Sequence, residues 1–122
     1  MERMKKLAAL LLLAALPLVA QGEKKDAPAA VKGDPVAGKK LYKAHCALCH
    51  FADAGIVNVG PGMKGLFQLK KLPLSGLPVT EENVRQRVAE GTPDPQKPLM
   101  PAYKDIFTPR EMDDLLAYLK TL

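Results

Sequence analysis

"HCALCH", His45 to His50, holds both cysteines and both histidines of this 122-residue chain. Such a cluster serves a zinc knuckle, a redox dithiol or disulfide, or the covalent attachment of a haem, and each use asks something different of the remaining sequence. A structural zinc takes four ligands in a tetrahedron. Cys46, Cys49 and His50 would supply three, but His45, the only other histidine, adjoins Cys46 and is badly placed to complete the shell. A thioredoxin-like dithiol belongs beside a βαβ pattern, and no stretch of this chain alternates like a strand. A plain disulfide between Cys46 and Cys49 would leave His50 without a role.

The remaining reading is Cys-x-x-Cys-His, the signature of c-type haem attachment. Its spacing has a chemical reason. Two thiols must reach two vinyl groups on one edge of a porphyrin and form thioethers, and the next residue must turn its imidazole under the iron. Cys46 and Cys49 are then the covalent anchors and His50 the iron ligand. His45, directly before an anchor, reads as a surface or packing residue.

The N-terminus bears on where this chemistry happens. Arg3, Lys5 and Lys6 precede an apolar run from Leu7 to Ala20 that contains Pro17. A membrane span needs about 20 apolar residues, so the run is expected to be a signal-peptide core, with residues 1–20 removed on export. Small residues at Ala20 and Gly22 suit cleavage. An uncleaved tether, and with it a membrane location, is the alternative. Removal takes away Glu2 and three basic residues, which lowers the formal net charge from +5 to +3. The basic balance is therefore partly the leader's, and no arginine-rich stripe or aromatic ladder speaks for nucleic acid. Residues 21–33, rich in Ala, Lys and polar groups, read as a flexible leader.

Residues 34–122 form the expected folded domain. With three Phe, three Tyr and no Trp, a core of this size is marginal and calls for a cofactor or staple to fill it. Three helices are predicted. Asp34-Pro35 opens the first, over DPVAGKKLYKAHC, with Asp as cap and Pro at the first helical position. Gly38 inside it costs about 1 kcal/mol relative to Ala, a cost that is either simply tolerated or explained by close approach of another backbone. Thr80 caps a second helix to Glu90, with Glu81 and Glu82 at its positive end and Gly91 as its stop. Thr108-Pro109-Arg110-Glu111 is a capping box, and Met112, Leu115, Leu116 and Leu119 follow as an apolar stripe. Between Asp53 and Val79 the chain is rich in Gly and Pro and reads as loop. The fold class expected is all-α: three main helices and long loops wrapped around one covalently bound haem.

Three segments in order, GDPVAGKKLYKAHCALCH, VGPGMKGLF and LMPAYKDIFTPREMDDLLAYLKTL, make residues 34–122 resemble the class I, monohaem, cytochromes c. The resemblance implies a methionine sulfur as sixth iron ligand, and Met100, followed by Pro101 after a proline-rich loop, matches that position. Met63 and Met112 read as packing residues. It also implies that the Pro61 carbonyl accepts the Nδ1–H of His50, a bond that orients the ring and raises its basicity. Gly38, Tyr42, Leu115 and Tyr118 match the crossing of first and last helices. Two departures stand out: there is no tryptophan, and Phe67 to Thr80 does not follow the best-known mitochondrial pattern. Contacts to the haem propionates are therefore open, with Lys64, Lys70, Lys71 and Tyr103 in reach.

The implied function is a soluble carrier of single electrons between redox protein partners, periplasmic or otherwise exported, holding one haem c. With both axial positions filled, no site is left for substrate, which argues against an enzyme. Histidine–methionine ligation favours a raised potential. The alternatives are a dedicated electron-transfer subunit of a larger dehydrogenase or oxidase and, requiring Met100 off the iron, a haem sensor or peroxidase.

Overall fold

The computed structural model describes residues 33–92 and 100–122. The expected signal peptide and nearly all of the leader lie outside the described residues, as do Pro95 and Pro98 of the loop before Met100. No described helix is long and apolar enough to cross a membrane.

The fold is all-α: α1 (Pro35–His45), α2 (Glu81–Glu90) and α3 (Pro109–Leu119), with a one-turn 3-10 helix at Leu66–Gln68. Among the described residues there is no strand, only an isolated antiparallel bridge between Lys71 and Pro78. The caps form as the sequence leads one to expect. Asp34 accepts the Val36 N–H, Thr80 that of Asn83, and Thr108 and Glu111 form a reciprocal capping box. Each satisfies donors that the first helical turn leaves without partners. Gly91 ends α2 with φ +69°, a conformation that a side chain disfavours. The 3-10 turn was not legible in the sequence, because three residues are too few to show periodicity.

α1 packs across α3 at Gly38. A Cβ there would land on the Asp114 carbonyl and against the Tyr118 side chain, so the glycine's helix cost is the condition of close backbone approach. Beside it the Tyr42 and Tyr118 rings meet edge to face at 5.3 Å. Leu115 and Leu116 are essentially inaccessible, and around them gather Leu66, Val84, Val88, Phe107, Met112 and Leu119. Met63 and Met100 lie half-buried against this core. One buried carboxylate completes the crossing: Asp114 accepts the backbone N–H of Asp34 at 2.7 Å and Arg110 Nε at 3.0 Å. It thereby ties the start of α1 to α3. Arg85 and Lys120 join α2 to α3 through Asp113 and Glu81.

Candidate functional site

α1 stops where the chemistry begins. Beyond His45 the helix gives way to a turn in which the Cys46 carbonyl accepts both Cys49 N–H (3.0 Å) and His50 N–H (2.9 Å). Cys46, Cys49 and His50 are thus brought onto one tight turn. Both cysteines are half-buried free thiols. Burial, and then the neighbouring Cys49, push the Cys46 thiol up to about 11. A redox dithiol needs the opposite, a thiol whose pKa is lowered so that thiolate is present at neutral pH. No three His, Cys, Asp or Glu side chains converge as a metal cage among the described residues.

The turn is held almost atom by atom. The Tyr42 hydroxyl donates to the His50 carbonyl at 2.6 Å, Gly60 N–H to the Cys49 carbonyl at 2.8 Å, and Asn58 Nδ2 to the Leu48 carbonyl at 3.1 Å. Burial raises the Tyr42 phenol well above its ordinary value, with lesser contributions from Cys46, Tyr118 and Asp53, so it stays a donor. His50 itself is fixed through its ring: Nδ1 and the Pro61 carbonyl are 2.7 Å apart. A carbonyl can only accept, so Nδ1 carries the hydrogen, and in the neutral imidazole Nε2 is left with its lone pair. Gly60 makes room for this arrangement, since a Cβ there would fall into the His50 ring. The sequence marked Gly60-Pro61 as a turn but gave no sign of that steric need.

Met100 sits on a different support. Its N–H donates to Thr92 Oγ1 at 3.3 Å and its carbonyl accepts Thr92 N–H at 3.0 Å. Tyr103 N–H and Lys104 N–H donate to the Val88 and Ala89 carbonyls at 3.1 Å each. The segment therefore runs along the C-terminal end of α2. Gly91 serves here a second time, because a Cβ on it would collide with the Met100 and Pro101 backbone. His45 is exposed, with its ring edge-on to Tyr103 and Phe107 at 5.9 and 5.0 Å. Tyr103 gives its hydroxyl to the His45 carbonyl at 2.9 Å, and its phenol is raised by burial first. An apolar cleft of about 360 Å³, lined by Val57, Val59, Pro61, Leu69 and Leu74 among others, borders the turn on the Pro61 side without including either cysteine.

A cytochrome c family profile matches residues 35–122, the whole of this architecture. The chain belongs to the cytochrome c family. It is 34% identical over 93 residues to a cytochrome c-553-like protein of Synechocystis, an alignment covering 76% of this chain and 73% of that one. It is 35% identical over 107 residues to the cytochrome c of Chlamydomonas reinhardtii, covering 78% and 92% respectively. With the cytochrome c2 of Rhodopila globiformis the identity is 33% over 102 residues, covering 74% and 94%. As a class I cytochrome c the chain is an electron carrier and its cofactor is covalent haem c.

Proposed function

We propose that this cytochrome c is an exported carrier of single electrons. In this reading Cys46 and Cys49 would form the thioethers, and His50 Nε2 and the Met100 sulfur would be the two protein ligands of the iron. The haem supplies one iron that takes up and releases one electron; the protein's residues position it and set its potential. The observation that carries the reading is the 2.7 Å bond from His50 Nδ1–H to the Pro61 carbonyl, which fixes the ring and its tautomer on the same turn as two free thiols. A carbonyl partner of this kind raises the basicity of a histidine ligand and fixes its tautomer. The donor set supports the same assignment. Two thiols three residues apart, one free imidazole nitrogen and one thioether are what attachment and histidine–methionine ligation require. Gly60, whose lack of a side chain lets the His50 ring pack against the backbone, fits it as well.

Met100's neutral sulfur does little to stabilise the extra positive charge of ferric iron, so the potential is expected to be raised. Export follows from the N-terminal sequence: Arg3, Lys5 and Lys6 before the apolar run Leu7 to Ala20. Encounters with donor and acceptor proteins are small and transient in this reading. The test is intact mass spectrometry and acid–acetone extraction of the exported protein. Expected is a polypeptide lacking the N-terminal segment, carrying one haem that resists extraction. Haem that extracts freely, or a mass equal to polypeptide alone, overturns the assignment.

A further inference from the structure

The carbonyl of His45 would, in a continued helix, accept the Cys49 N–H. That N–H instead bonds the Cys46 carbonyl, so the last residue of α1 offers an acceptor with no donor of its own helix. The donor comes from 58 residues away, the Tyr103 hydroxyl at 2.9 Å. Tyr103 is fixed at every other atom that matters. Its N–H is bonded to the Val88 carbonyl, its ring is buried, and it stacks on Phe107 at 4.9 Å with an interplanar angle of 16°. Among the described residues it makes the one hydrogen bond between the Met100–Phe107 segment and the His45–His50 turn.

We propose that Tyr103 is a positioning residue: its hydroxyl tethers the segment carrying Met100 to the haem-attachment turn and keeps the methionine sulfur from being exchanged. The inference rests on Met100 being the sixth ligand and adds what holds it there. A thioether offers only a weak acceptor, and among the described residues no hydrogen bond orients the Met100 sulfur in the way that Pro61 orients His50. Its position is set by backbone anchors, Thr92 on one side and Tyr103 on the other. The Thr92 contacts fix Met100 to the end of α2; the Tyr103 hydroxyl joins it to the turn that bears the other ligand. The aromatic ring fills the core and would do so equally as phenylalanine, which makes the hydroxyl's contribution separable.

The experiment is imidazole binding to the ferric holoprotein, followed by loss of the red-edge sulfur-to-iron charge-transfer band, in wild type, Tyr103→Phe, Asp114→Asn and Met100→Ala. Tyr103→Phe should keep the band without added ligand but bind imidazole about fivefold to tenfold more tightly, the equivalent of one net hydrogen bond. Asp114→Asn weakens the α1–α3 tie without touching this segment, and controls for general loosening, with denaturant midpoints showing that both variants are destabilised. It should bind imidazole as wild type does. Wild-type affinity in Tyr103→Phe, or an equal gain in Asp114→Asn, overturns the tether. A band that survives in Met100→Ala overturns the ligand assignment itself, and with it the tether.

Discussion

Around His50, the carbonyls of His45, Cys46, Leu48, Cys49 and His50 each have a donor, and the ligand ring has its own hydrogen bond to Pro61. Around Met100, among the described residues, the supports are two hydrogen bonds between its backbone and Thr92, the Tyr103 and Lys104 N–H bonds to α2 and the Tyr103 tether, with no hydrogen bond on the Met100 side chain. The two proposed ligands thus come from regions fixed to different degrees. On the histidine side one bond acts on the ring that carries the donor atom and the others on the turn's backbone; on the methionine side all act on the chain that carries the sulfur. We expect the first region to resist rearrangement and exchange of the proposed ligands to begin at the second. This asymmetry makes the methionine side the place where the carrier could be turned into a ligand-binding haem protein.

The largest effect should come from breaking the histidine side at its anchors. Cys46→Ala combined with Cys49→Ala should abolish haem that resists acid–acetone extraction. Because three Phe and three Tyr make a thin core, the haem-free chain should also lose most of its helical circular dichroism at room temperature. A full helical spectrum with cooperative melting would show that the polypeptide fills its own centre.

Two glycine substitutions sharpen the comparison. Gly60→Ala puts a methyl group into the His50 ring, and Gly91→Ala both strains a φ of +69° and pushes on the Met100–Pro101 backbone. Each should cost about 1–3 kcal/mol in denaturant unfolding. They should differ in what they release: Gly91→Ala should admit imidazole while leaving the His50–Pro61 bond intact, and Gly60→Ala should disturb the histidine side. Identical spectroscopic consequences would erase the distinction between the two regions. The smallest effect is expected at Met63, half-buried against the core. Met63→Leu conserves volume and should cost less than about 1.5 kcal/mol, with the potential unchanged.

What the sequence disclosed was mostly local. Asp34-Pro35, Thr80 and the Thr108–Glu111 box announce helices because a cap bonds two or three residues away. The Cys46-Cys49-His50 signature is legible for the same reason, since its spacing is set by one porphyrin edge. The supports were not. Asp114 reaches Asp34 across 80 positions and Tyr103 reaches His45 across 58. In each case an ordinary helix or loop residue acquires its role only when the chain folds back. Gly38 and Gly91 fall between. Gly38 was recognisable as a close approach and Gly91 as a helix stop, but the contact of Gly91 with Met100 depends on a return of the chain that no local pattern encodes.

The most direct measurement is a redox titration of Met100→Ala alongside wild type, with cyanide binding to both ferric proteins. In the variant the thioethers and His50 remain, so haem stays covalently bound. Water, a better donor to ferric iron than a thioether, takes the sixth site, the potential falls and cyanide binds readily. An unchanged potential and a site still closed to cyanide would contradict the assignment of Met100, all the more so if Met63→Leu opened the iron instead.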